Sequence, residues 1–157
     1  MSEVGVCVGR FQTDELTSGH RALLNRVLDS HPNLVILVGV APWQGTKHDP
    51  LDFPTRRLML QSEYPAAIIL PIQDMLDDQD WSNQVDRLIR SIFPKITNCI
   101  LYGGRDSFQP HYCGEFKALE IETKVTNFES GSNRRENIGK VPQNSSAFRA
   151  GIIYAKQ

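Results

Sequence analysis

The residues Thr17-Ser18-Gly19-His20, preceded by Gly9-Arg10-Phe11-Gln12, bring hydroxyl, imidazole and guanidinium groups and two glycines into one short segment. Such a set can hold phosphates. The first turn of a helix leaves backbone N–H groups unpaired and ends a positive dipole, and both favour an anion. Gly19 lets backbone come close to a phosphate. Arg10 and His20 add charged or polar side-chain donors, and an imidazole so placed can stabilise developing negative charge. The competing reading is an ordinary N-capped helix with an incidental histidine.

Three further groups extend this chemistry. Ser145-Ser146-Ala147-Phe148-Arg149 offers hydroxyls, N–H groups and a cation at the start of a short helix, either for the outer phosphates of a triphosphate or as a plain serine cap beside a surface arginine. Lys47, Arg56 and Arg57 either clamp phosphates or form solvated pairs with Asp49, Asp52 and Glu63. Trp81, after the acidic run Asp74-Met75-Leu76-Asp77-Asp78-Gln79-Asp80, either stacks on a planar heterocycle or is a partly buried core aromatic, and the acidic run either holds metal or caps the helix. The spacing of Gly39 and Gly45 imitates a P-loop, but Thr46-Lys47 reverses the required order and no helix is expected there. Gly5 and Gly9 lack the dinucleotide fingerprint spacing, and His111-Tyr112-Cys113 has no second metal-spaced pair.

Positioning these groups falls to short apolar runs separated by helical patterns. Val4-Gly5-Val6-Cys7-Val8, residues 34–40, residues 67–72 and residues 98–103 are continuous and rich in β-branched side chains, as expected of strands buried on both faces of a parallel sheet. Helical spacing predicts helices over residues 20–30, 53–63 and 81–93. Alternation of the two predicts a doubly wound α/β domain, mainly parallel, with helices on both faces. Residues 117–128 suit one or two strands, residues 129–140 a polar loop, and the segment from Ala147 a final short helix. Ligands of such sheets bind beyond the carboxyl ends of the strands. This rule gathers residues 9–20, 39–49, 73–81 and 103–106 around one cleft.

Composition narrows the field. A chain of 157 residues with 17 Lys+Arg against 18 Asp+Glu is expected to form one domain, residues 1–157, without nonspecific affinity for nucleic acid or membrane surfaces. Its opening apolar run is interrupted by Gly-Arg, unlike a signal peptide, and no apolar stretch approaches the roughly 20 residues of a membrane span. Three widely spaced cysteines suggest free thiols in a reducing cytoplasm, and self-association is left open.

Taken in order, Gly9-Arg10-Phe11-Gln12, Thr17-Ser18-Gly19-His20, Asp49-Pro50-Leu51, Thr55-Arg56-Arg57, Asp74 to Trp81, Gly103-Gly104-Arg105-Asp106 and Ser145-Ser146 to Arg149 resemble the nucleotidyltransferases with the (H/T)-x-G-H motif. The nicotinamide-mononucleotide (NMN) adenylyltransferases of archaeal and bifunctional type are the nearest branch. Family members usually carry Pro-Phe-His after the Gln; here Thr13-Asp14-Glu15-Leu16 intervenes and Thr17 stands at the first motif position. The end soon after Arg149 implies that no Nudix hydrolase domain is present. The resemblance implies a Rossmann-like fold and transfer of AMP from ATP to NMN, giving NAD and pyrophosphate. It implies roles for Thr17, His20, Arg10, Arg56 and Arg149 in catalysis. Gly9, Gly19, Gly103, Arg105, Asp106, Ser145 and Ser146 would join Arg10, His20 and Arg149 around ATP. Phe11, Gln12, Arg56, Asp74 and Trp81 would surround NMN. Magnesium would come with ATP, with no dedicated protein metal site. Within the same superfamily another phosphorylated acceptor is the rival reading, and outside it a non-catalytic nucleotide sensor.

Overall fold

The computed structural model describes residues 3–42, 46, 47, 49–105 and 107–122. Five strands alternate with three α-helices in the order β1 (Val4–Gly9), α1 (Ser18–Ser30), β2 (Asn33–Val40), α2 (Phe53–Glu63), β3 (Ile68–Gln73), α3 (Asp78–Ile92), β4 (Cys99–Gly103) and β5 (Lys117–Glu120), with one 3-10 turn, Gln109–His111, before β5. The strands form one sheet in the order β3-β2-β1-β4-β5, and every pairing is parallel. This is the expected α/β architecture.

The alternation of side chains along β1 explains its two-sided cover. Cys7 points into one cluster with Leu23, Leu24 and Val27 of α1 and Leu60 of α2. Val4, Val6 and Val8 point into the other with Val85 and Ile89 of α3. Strands covered on both faces have no polar side to show in the sequence, so their runs read as continuous rather than alternating. Gly5 lets α1 ride close on β1, because a Cβ there would lie 2.4 Å from Val27 Cγ1 and 2.7 Å from His31 Cδ2. Pro71 is tolerated within β3 because that strand pairs on one side only, with β2.

Helix boundaries follow from caps. Thr17 caps α1, Asp52 caps α2 with Pro54 in its first turn, and Asp77 caps α3 with Asp78 and Asp80 at the positive end of its dipole. The helices therefore begin at Ser18 and Asp78, ahead of the starts expected from the apolar spacing alone. β5 ends at Glu120, shorter than the span expected from the sequence; residues beyond 122, including the expected loop and final helix, lie outside the described residues. Among the described residues, no helix is long and apolar enough to cross a membrane.

The chain order β1, β2, β3 runs to one side of β1, and the crossover from β3 to β4 carries the chain to its other side, so the order reverses beside the central strand. The carboxyl end of β1, at Gly9, thus opens into the crevice where ligands of such sheets bind.

Candidate functional site

The site is built where β1 turns into α1. Thr17 has extended backbone, and its Oγ1 accepts from the backbone N–H of His20 at 3.1 Å. In return, the Thr17 N–H donates to Nδ1 of His20 at 3.2 Å. A backbone N–H can only donate, so Nδ1 is an acceptor and the ring proton resides on Nε2. The capping reading of this segment therefore holds, and the cap also fixes the tautomer of the imidazole.

Phe11 stands behind the imidazole, its ring centroid 5.0 Å from that of His20. It is the positive-φ non-glycine residue among those described, at φ 54°, and it is 3 % exposed. That left-handed turn sends neighbouring side chains to different places. The Phe11 ring goes inward over Gly9, where an added Cβ would lie 2.9 Å from it. Arg10 goes outward and is exposed, donating to Asp49 at 3.3 Å and to Asp74 at 2.5 Å. One guanidinium thereby links the ends of three neighbouring strands: β1 through its own backbone, β2 through the segment carrying Asp49, and β3 through Asp74, whose N–H donates to the Val40 carbonyl at 2.9 Å.

Gln12 and Arg56, both expected beside NMN, are buried. Gln12 is 1 % exposed, and its amide is engaged at both ends: Nε2 donates to the Leu51 carbonyl and Oε1 accepts the Leu51 N–H, each at 2.9 Å. Arg56 is 0 % exposed and donates to the carbonyls of Asp52 at 3.2 Å, Arg10 at 2.9 Å and Gly39 at 2.6 Å. Burial lowers its guanidinium to about 10, with Asp49 pulling the other way, so it remains charged at neutral pH. Neither the Asp49 nor the Glu63 pairing proposed for the basic residues after the second strand is a solvated pair with Arg56: Asp49 meets Arg10, and Glu63 meets Arg21 at 2.8 Å.

The remaining expected residues divide by location. Asp74 of the acidic run reaches Arg10, whereas Asp77 caps α3, so this run serves pairing and capping. Trp81 is half-buried on the α3 side of the sheet, its ring centroid 5.8 Å from Phe108 in the segment after β4. It belongs with the β4 end of the crevice rather than with the Arg10 cluster. Gly103 ends β4 tightly, since a Cβ there would sit 2.1 Å from Ser107 Oγ; Gly104 faces open space, and Arg105 is exposed. Asp106, Ser145, Ser146 and Arg149 lie outside the described residues.

The longer Thr13–Leu16 connection is packed, not extruded. Thr13 and Leu16 are each 1 % exposed, and Thr13 Oγ1 donates to the Glu15 carbonyl at 2.7 Å. Leu16 belongs to the α1-side core. Sequence reasoning missed the Asp49–Arg10 pair and the Leu51 backbone partner of Gln12. No sequence signal marks the second, because the partner lies 39 residues away and the burial of Gln12 shows only in the fold. Among the described residues, no group of three or more His, Cys, Asp and Glu side chains could hold a metal ion. Among the described residues after Gly39, the next helix is α2, which begins at Phe53.

No family model matches the chain. A curated nicotinamide-nucleotide adenylyltransferase from Picrophilus torridus is 30% identical over 86 residues, covering 52% of this chain and 50% of that protein; the chain thus spans about half the length of the curated relative it matches. The fold is shared with a bifunctional NMN adenylyltransferase/ADP ribose pyrophosphatase from Francisella tularensis, complexed with AMP and a Mn ion, at a TM-score of 0.73 and 17% identity over 90% of this chain and 42% of the other. It is also shared with a NadR protein in complex with NAD and AMP-PNP, at a TM-score of 0.60 and 14% identity over 90% of this chain and 44% of the other. The chain thus shares the fold of these structures and, over about half its length, is similar to a nicotinamide-nucleotide adenylyltransferase.

Proposed function

We propose that this protein transfers the AMP moiety of ATP to NMN, forming NAD and pyrophosphate. The reciprocal Thr17–His20 cap, set beside Arg10 at the mouth of the central strand, carries the reading. An NMN phosphate oxygen attacks the α-phosphorus of ATP, one P–O bond forms, the bond to the β-phosphate oxygen breaks, and pyrophosphate leaves. No covalent enzyme intermediate is required. The protein's task is to align the two phosphates and stabilise charge on the transferring group.

His20 Nε2–H and the first N–H groups of α1 are donors toward the triphosphate, with Gly9 and Gly19 allowing close approach. Arg10 neutralises phosphate charge, and an incoming phosphate competes for it with Asp49 and Asp74. Gly103, Gly104 and Arg105 border the adenosine, with Asp106 next to them in sequence; Ser145, Ser146 and Arg149 would serve the outer phosphates. Trp81, backed by Phe108, offers its other face to the nicotinamide. A divalent cation, which we take to be magnesium, enters as part of the ATP substrate and offsets its phosphate charge; the described residues form no cage for it, and we assign none to it. We also propose a single cytoplasmic domain. The likeness to a structure with AMP and a metal ion, and to another with NAD and AMP-PNP, supports the choice of ligands.

A pyrophosphate-release assay with ATP, magnesium and a panel of phosphorylated acceptors tests the reading. NMN or its deamidated form should give the highest kcat/KM; release with a pantetheine, flavin or polyol phosphate but not with either of these would overturn it. His20→Ala should lower turnover at least about a hundredfold, the scale of removing one positioned donor, with an unchanged circular dichroism spectrum. Near-normal turnover would remove His20 from the reaction.

A further inference from the structure

We infer that Gln12 and Arg56 are positioning residues: two buried side chains that pin the left-handed turn at Phe11 and thereby aim Arg10 and His20. The inference rests on the adenylyl-transfer reading. A bulky aromatic residue at positive φ persists only where its surroundings over-determine it, and such turns concentrate at functional sites. Here the chain is held on both sides of the turn. Immediately before it, the Arg10 carbonyl accepts from Arg56 at 2.9 Å. Immediately after it, the Gln12 amide makes a two-point pairing with the Leu51 backbone.

The same two residues set the level of the neighbouring strand end. Arg56 joins the Gly39 carbonyl of β2 and the Asp52 carbonyl at the α2 cap to the Arg10 carbonyl, so one guanidinium measures the gap between the β1 and β2 exits. Its planar fork can meet acceptors in fixed directions, which an ammonium cannot. With both pins in place, the Phe11 ring lies under His20 and the Arg10 side chain reaches Asp49 and Asp74. Loosening either pin lets the turn relax and displaces a donor by a fraction of a bond length or more, enough to matter for a reaction governed by alignment.

The experiment compares Gln12→Met and Arg56→Lys in the wild-type and Arg10→Ala backgrounds, by steady-state pyrophosphate release and by hydrogen exchange of the peptide spanning residues 9–13. Each single variant should lower kcat at least about tenfold while the KM values for ATP and NMN stay within about threefold. Each should cost less in kcat when Arg10 is already absent, because one of the two groups that the pin aims is then gone. Exchange over residues 9–13 should quicken while that of α3 does not change. Wild-type-like kcat in both variants, or the same loss with and without Arg10, would overturn the inference. Should Gln12→Met not fold, Arg56→Lys, which keeps the charge, decides alone. Should the wild type release no pyrophosphate with any acceptor, the adenylyl-transfer reading fails by itself, and the exchange data then decide the pins. Faster exchange over residues 9–13 with that of α3 unchanged supports them, and unchanged exchange over residues 9–13 refutes them.

Discussion

Thr17 holds His20 in one orientation and one tautomer. The hydroxyl holds the His20 N–H and the Thr17 N–H holds Nδ1, so helix start and tautomer are one structure. Thr17→Ala should therefore act twice. Loss of the cap costs about 1 kcal/mol of stability, read as a lowered urea midpoint. Turnover should fall further than that loss of folded protein explains, because a loosened helix start no longer presents Nε2–H in one direction. Thr17→Ser, which keeps the hydroxyl, should restore most of both; turnover as low as in the alanine variant would show that the threonine methyl, not the hydroxyl, matters. Much of this was visible in the sequence, since Thr-Ser-Gly-His after a strand pattern announces an anion-ready helix start. What the sequence hid was the use of Gln12 and Arg56. Their partners lie 39 and 46 residues away, at the Leu51 and Arg10 backbone, and a polar side chain near a phosphate site looks like a ligand contact until its burial is known.

Elements position these residues through close approach and capping. The strands and the α1 and α3 cores were legible because a doubly covered parallel sheet demands continuous apolar runs and these two helices show a clear apolar stripe, whereas α2 buries Leu60 with Thr55 and Arg56 and leaves Leu58 exposed. Starts were less legible, since Thr17 and Asp77 extend their helices upstream of the first apolar residue through hydrogen bonds that hydropathy does not register. Gly5 allows a test of architecture separate from chemistry. A side chain there would press on Val27 and His31, at the end of β1 remote from the crevice. Gly5→Val should cost about 1–3 kcal/mol by overpacking, measured by chemical denaturation, with kcat of the folded fraction unchanged; a lost kcat at full folding would mean the α1–β1 spacing controls the site. At the other helix, Trp81→Leu should raise the KM for NMN about tenfold while the KM for ATP stays within about threefold, since the loss is of a stacking surface. A rise confined to ATP would place the ring with the adenine instead.

Across the whole molecule the three thiols sit in very different surroundings. Cys7 and Cys99 are buried, and burial pushes each thiol up to about 12, whereas Cys113 is exposed. Since the thiolate is the reacting form, iodoacetamide at neutral pH should label Cys113 in the native protein, and Cys7 and Cys99 only after denaturation, as read by peptide mass spectrometry. Native labelling of Cys7 would mean that the central strand opens. Among the described residues, the sheet has two borders of different character. At one, Pro71 sits within β3 and brings no N–H; at the other, the short β5 carries exposed Lys117 and Glu120. These two borders are thus poorly suited to recruit a further strand at the rim. The same proline that the sequence lodges in an apolar run acts as a stop against edge-to-edge growth, and a Pro71→Val chain would lose that stop while leaving the crevice as it is.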